Sequence, residues 1–452
     1  MSPRSLLIIA DDLSGAADCA IAFAGAGRRT VVTLDASGAK HADANVDANV
    51  DAASVIAADT DTRRLAPQDA ARRTAHAFNT LNAPGRRLYK KIDSTLRGNW
   101  AAEVAALQPL AGLAIVAPAF PATGRTLHRA RVLVHGEPLE STDTWRLDHA
   151  DRPANVRTML EEAALRCASI DVETLRDEAD VLRNRINAAV NEGTQALIVD
   201  AHSDSDLKRL AQITSTIDAH LFWVGSGGLA RELASLPELF DTPPCTPLIH
   251  EKQDGATLIL VGSLSSVSER QCAMLRERAG IAELIVPPAV LRAGEEHAEW
   301  RNWQSKIGAF LVEQTDLLVR IGRDDAFDPA EGAHLSTALA AMVAPHFGLL
   351  GGLIATGGET ARAMLSAAGI NSLDLLAEVE AGVAVARPSM RPSQASRLHR
   401  PAIVTKAGAF GSEHALFGAW EHLQRLPQPA TNTNTSTDAR THTNADTGTN
   451  TL

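Results

Sequence analysis

Ten residues, KKIDSTLRGN at positions 90–99, bring together two lysines, an aspartate, two hydroxyls, an arginine and a glycine. Lys91 and Arg97 can neutralise a carboxylate or a phosphate, the arginine in bidentate fashion. Asp93 and Ser94 can bind or deprotonate hydroxyls, and Gly98 lets backbone come close to a ligand. This combination suits a small polyhydroxylated anion. IADDLSGAAD, residues 9–18, sends Asp11 and Asp12 out of an apolar run into a stretch of small residues. Those acids either complement a helix N-terminus or hold and deprotonate substrate hydroxyls. DTDTRR, residues 59–64, offers Arg63 or Arg64 to a pocket. VAPAFPATGRT, residues 116–126, adds Arg125 behind a glycine, and VGSGGLA, residues 224–230, adds a glycine turn.

The second half of the chain carries clusters of another kind. VGSLSSVSERQ (261–271) places Ser263, Ser265 and Ser266 before a helical stretch. ATGGETA (355–361) runs through Gly357 and Gly358 into Glu359 and Thr360, and VTKAGAFG (404–411) supplies Lys406 and Gly408. Glycine turns at helix N-termini form anion-binding nests, so three of them in one region point to a nucleotide. Neither GxxxxGK[ST] nor a GxGxxG after the first strand occurs, which speaks against a P-loop and a dinucleotide fold.

The elements that must position these groups follow an alternating plan. Short apolar runs such as RSLLIIADD, RRTVVTLD, SVIAAD, RRLYKKIDS, LAIVAP, TQALIVD and HLFWVG read as buried strands separated by helical stretches. Ser14 is the expected N-cap of the first helix, with the glycines at 25–27 closing it. A break at residues 236–255 contains four prolines and no periodicity. A second series (ATLILVG, AELIVPP, TDLLVRIG, LLGGLIATGG, PAIVTKAG) follows it. The expected fold is therefore α/β, with two domains, each a mostly parallel sheet flanked by helices. Residues 1–240 form the first domain, 241–255 a linker, 256–428 the second domain, and 429–452 a polar tail expected to be disordered. HADANVDANVDAA, residues 41–53, is expected to be an exposed loop.

The 452 residues are 45% hydrophobic, 21% charged and only 4% aromatic, with a formal net charge of −11. That balance argues against nucleic acid or an anionic membrane as the partner, while leaving room for a cationic pocket. The four cysteines, at 19, 167, 245 and 272, lack metal-ligand spacing and fit a reducing cytosol. The N-terminal apolar run is too short for a signal peptide or a spanning helix, so a cytoplasmic location is expected. A homodimer is admitted.

IADDLSGAAD, DTDTRR, KKIDSTLRGN, APAFPATGRT, VGSLSSVSERQ, ATGGETA and TKAGAFG occur in that order, and together they resemble the four-carbon acid sugar kinases. The resemblance spans roughly residues 5–425. It implies ATP-dependent phosphorylation of the 4-hydroxyl of D-threonate or D-erythronate, with an N-terminal substrate domain, a C-terminal nucleotide domain and the active site in the interdomain cleft. The sugar acid and ATP would be its small-molecule partners. Its substrate residues would be Asp12, Arg63, Lys91, Asp93, Ser94 and Arg97. Its ATP residues would be Ser263, Gly357, Gly358, Glu359, Thr360 and Gly408, and Lys406 is added for its charge beside that turn. Either Asp93 or Asp12 would orient or deprotonate the attacking hydroxyl, with Asp93 slightly favoured. Mg²⁺ would be carried mainly by the nucleotide phosphates, without dedicated protein ligands. Three departures stand out: Ser14 for a usual threonine, Glu359 for a usual aspartate, and Ala409 for a glycine. A kinase for 3-oxo-tetronate and a non-catalytic sugar-acid sensor on the same fold are the competing readings. The 90–99 run looks more like the threonate and erythronate branches than the oxo-acid branch.

Overall fold

The computed structural model describes residues 4–34, 52–142, 145–146, 153–245, 253–326, 328, 331–389, 399–408 and 410–427. Most of the 41–53 repeat, part of the expected linker, Ala409 and the expected tail lie outside them.

In chain order the strands are β1 (Ser5–Ala10), β2 (Thr30–Thr33), β3 (Val55–Asp59), β4 (Arg86–Lys91), β5 (Leu113–Ala117), β6 (Arg125–His128), β7 (Arg131–Val134), β8 (Glu137–Pro138), β9 (Cys167–Ile170), β10 (Ala196–Val199), β11 (Leu221–Gly225), β12 (Ala256–Val261), β13 (Ala282–Val286), β14 (Leu317–Ile321), β15 (Leu350–Thr356), β16 (Ser372–Glu380), β17 (Val383–Pro388) and β18 (Ala402–Lys406). Fifteen of them make one sheet, in the order β13-β14-β12-β15-β18-β17-β16-β2-β3-β1-β4-β11-β5-β10-β9. The strands from β2 to β9 in that order are all parallel, as are those from β13 to β18. Their cores are continuous apolar runs because helices cover both faces. β6, β7 and β8 form a separate antiparallel sheet.

The two parallel halves are joined through an antiparallel hairpin. β17 runs against β18, β16 against β17, and β16 against β2, where Leu373 pairs with Val32. Two separate sheets were expected, but the hairpin makes them continuous. The sequence of β16, SLDLLAEVE, hides the strand, since only Leu373 and Leu375 are buried along it. An apolar-run reading finds strands buried on both faces and passes over a half-covered one.

The first helix, Leu13–Gly25, is capped by Asp12, whose carboxylate accepts from the Gly15 N–H at 2.9 Å. Ser14, the expected cap, lies inside the first turn. Its hydroxyl is buried with no hydrogen-bond partner, which leaves it facing the site described next. No helix among the described residues is long and apolar enough to cross a membrane.

Candidate active site

The chemistry-bearing segments all leave the carboxyl ends of parallel strands, where an open α/β sheet binds its ligands. Asp11 and Asp12 follow β1, Arg63 follows β3, Asp93 to Arg97 follow β4, and Ser226 follows β11. Asp12, Arg63, Lys91, Asp93, Ser94 and Arg97 line a single polar cleft. Gly382, Ala407 and Phe410 of the second half complete its wall. Adjacent lysines on β4 point to opposite faces, as strand geometry requires. Lys91 reaches the cleft, whereas Lys90 is buried in an ion pair with Glu103 at 2.7 Å.

Arg63 organises the acidic edge. Its Nε and Nη2 donate to the two oxygens of Asp11, each at 2.8 Å, and its Nη1 donates to Asp12 Oδ2 at 2.8 Å. Burial works to raise the Asp11 carboxyl, but the Arg63 guanidinium prevails and holds it low. Asp93 accepts from the Thr95 N–H at 2.7 Å, the Thr95 hydroxyl at 2.6 Å and Arg97 Nε at 2.9 Å. Burial opposes its ionisation, yet Arg97, Arg63 and Lys91 hold it far below the usual carboxylate range. Arg64, the neighbour of Arg63, pairs with Glu359 of the second half at 2.5 Å.

The second half presents its glycine turns to the same edge. The helix Gly358–Ala367 follows β15 and has no side chain capping its N-terminus. Its free N–H groups favour an anion. A Cβ on Gly358 would lie 2.9 Å from Asp12 Oδ2 and 3.3 Å from Ser14 Oγ, so the N-termini of two helices meet there. Gly408 packs against Ser263, whose Oγ a Cβ at 408 would meet at 2.5 Å. The Gly357 N–H donates to the Lys406 carbonyl at 2.8 Å. Ser263, Gly357 and Gly408 thus form one cradle.

Two expected ATP residues are turned away from open space. The Thr360 hydroxyl is buried against Ser336 Oγ at 3.0 Å, leaving its backbone N–H as its group at the helix end. Lys406 is buried and donates to the carbonyls of Ala407, Gly408 and Phe410 at 2.8, 3.1 and 2.8 Å. Its charge was expected beside the phosphates, but all three donors brace the turn that holds Gly408. Burial pushes its pKa down to about 8.

Sequence reasoning missed Asp18 and the pairing of Asp59, and it singled out Arg125 without its partner. Asp18, the last residue of IADDLSGAAD, lines the cleft. Asp59 is buried at the end of β3 and pairs with Arg362 of the second half. Arg125 stacks on Phe410 across the two halves, its guanidinium 4.7 Å from the ring centre. Asp18 falls within a motif that points to the site without being singled out by it, and nothing in the sequence pairs residues 59 and 362.

Two doubly wound halves, sharing one sheet and facing each other across a cleft of carboxylates, cations and helix N-termini, define a two-part α/β protein of the kind that brings two ligands together. Residues 6–233 match the family of sugar-binding N-terminal domains, and residues 258–416 match the nucleotide-binding C-terminal domains. A D-threonate kinase of Cupriavidus necator is 52% identical over 426 residues, covering 94% of this chain and 100% of that protein. A D-threonate kinase of Bordetella bronchiseptica is 34% identical, covering 92% of this chain and 97% of that protein. The chain belongs to the four-carbon acid sugar kinase family. A solved structure from Salmonella typhimurium LT2 shares the fold, with a TM-score of 0.73 at 21% identity, over 92% of this chain and 99% of that one.

Proposed function

We propose that this protein is a cytoplasmic ATP-dependent kinase that phosphorylates the 4-hydroxyl of a four-carbon sugar acid, with D-threonate the preferred substrate. The observation that carries this reading is the position of Asp12. Its carboxylate caps one helix and faces the uncapped N-terminus of another, Gly358–Ala367, in the second half. A phosphoryl group passing between the halves would meet two positive helix ends at that point. The names of the two relatives above support D-threonate.

The roles follow from the geometry. The cradle of Ser263, Gly357, Gly358 and Gly408 suits the nucleotide phosphates, with the N–H groups of Glu359 and Thr360 aimed at the same place. Asp12 holds the 4-hydroxyl and takes its proton as the oxygen attacks the γ-phosphorus and ADP departs. Asp93, slightly favoured from the sequence, is locked by Thr95 and Arg97 and held far below the usual range, so it suits orientation better than proton transfer. Lys91 is the cleft cation that remains available to the substrate anion. Mg²⁺ would travel on the phosphates and neutralise their charge.

The test is a panel of tetronates incubated with ATP and the purified protein. ADP should form with D-threonate, and ³¹P–¹H correlation should place the new phosphate at C4. Turnover of 3-oxo-tetronate in preference to D-threonate would support the oxo-acid reading instead. Binding of both ligands without turnover would support a sensor.

A further inference from the structure

Among the cleft carboxylates, three already accept hydrogen bonds from the protein on both oxygens. Asp11 is bound on both oxygens by Arg63, Asp12 by Gly15 and Arg63, and Asp93 by Thr95 and Arg97. Asp18 differs. Its Oδ1 is shielded from solvent and has no hydrogen-bond partner, although the residue lines the cleft. Its carboxylate lies where two glycines from opposite halves come close: a Cβ on Gly227 would stand 2.8 Å from Oδ2, and one on Gly382 would stand 3.8 Å from Oδ1. Arg231, whose charge acts on Asp18, donates through Nη1 and Nη2 to Glu378, the former at 3.0 Å, and its Nε makes no hydrogen bond to Asp18 or any other group. An acceptor left unmet in a polar cleft costs free energy unless a ligand supplies the donor.

We infer that Asp18 accepts a hydrogen bond from a non-reacting hydroxyl of the sugar acid and so sets which polyol acids the enzyme takes. The inference rests on the kinase reading above. Six residues separate Asp18 from Asp12 along the first helix, an axial rise of about 9 Å. Asp12 at the helix end meets the hydroxyl that is phosphorylated, and Asp18 lies deeper, toward the C2 and C3 hydroxyls. Burial pushes the Asp18 carboxyl upward against the pull of Lys91 and Arg231, as expected of an acid lacking hydrogen bonds. Placement between glycines of both halves means that this acceptor is enclosed only when the halves meet, which couples hydroxyl recognition to assembly of the site.

A substrate–mutant cycle tests this. Wild type, Asp18→Asn and Asp18→Ala are assayed with D-threonate and with its 2-deoxy and 3-deoxy analogues, following kcat/KM for the acid, KM for ATP and melting temperature. Wild type should lose about 10- to 100-fold on one deoxy analogue, the cost of a missing hydrogen bond to a charged group. Asp18→Ala should lose a similar factor on D-threonate but less than threefold on that same analogue, with KM for ATP unchanged, and Asp18→Asn, whose amide oxygen still accepts, should lose less than Asp18→Ala. Equal losses on all three acids would show a structural role and overturn the inference, as would Asp18→Ala within threefold of wild type on D-threonate. If wild type phosphorylates no tetronate, the kinase reading itself falls, an outcome distinct from either of these.

Discussion

The Asp12 carboxylate faces Gly358 across the two halves of the chain, with Oδ2 lying 2.9 Å from where a Gly358 Cβ would stand. This juxtaposition sets the acid proposed to hold the hydroxyl beside the helix end proposed to take the phosphates. Gly358→Val would push a branched side chain against Asp12 and Ser14. Overpacking of this kind costs about 1–3 kcal/mol, or about 5- to 150-fold at 1.4 kcal/mol per decade. The expected result is a fall in kcat together with a raised KM for ATP. A raised KM for ATP with kcat intact would mean that Gly358 touches nucleotide alone.

Arg63 and Arg97 should separate in their effects. Arg63 neutralises Asp11, which is 2% exposed, so Arg63→Ala strands a buried charge. A cost of about 3 kcal/mol is expected, at the low end for buried pairs because a quarter of the Arg63 side chain meets solvent. Melting temperature should fall by several degrees and kcat/KM by more than about 100-fold. Arg97 is exposed to the same degree and pairs with the buried Asp93, but Asp93 keeps both Thr95 hydrogen bonds and the nearby Arg63, so Arg97→Ala should lower kcat/KM and cost less thermal stability than Arg63→Ala. Equal thermal effects of the two substitutions would contradict this assignment.

Asp59 gives the protein a signed pH dependence. Burial pushes its carboxyl up to about 6, against Arg362, from an ordinary value of 3.8. Between those values the native state holds a proton that the unfolded chain has released. The contribution is therefore complete below about pH 4 and is lost as pH rises toward 6. Asp59→Asn cannot ionise. Its melting temperature relative to wild type should be higher at pH 7 than at pH 4.5, since the other carboxylates are common to both proteins. The opposite trend would mean that the Arg362 pair outweighs burial.

Lys90 and Glu103 are both fully buried and paired at 2.7 Å, with the Thr62 hydroxyl also donating to Glu103. Lys90→Met should destabilise by about 3–5 kcal/mol, because it leaves Glu103 charged and unpartnered. The double variant Lys90→Met, Glu103→Leu should recover most of that loss in urea unfolding. A double variant no more stable than the single one would show that the pair contributes net stability.

The sequence by itself determined the α/β class, the positions of the strands buried on both faces, and the segments that carry chemistry. These are local signals: an apolar run followed by polar and small residues at a strand end can be read without a partner. The tertiary structure decided what those segments do to one another. The strand pleat sent Lys90 into the core and Lys91 into the cleft. Packing turned Lys406 onto backbone carbonyls and the Thr360 hydroxyl onto Ser336. The hairpin of the half-covered β16 and the buried β17 fused two sheets into one and set the halves edge to edge. Only then do Asp59 and Arg362, or Asp12 and Gly358, come within reach across some three hundred residues. Such contacts depend on where whole elements pack, and a one-dimensional pattern carries residue type and spacing but not the distance between remote segments.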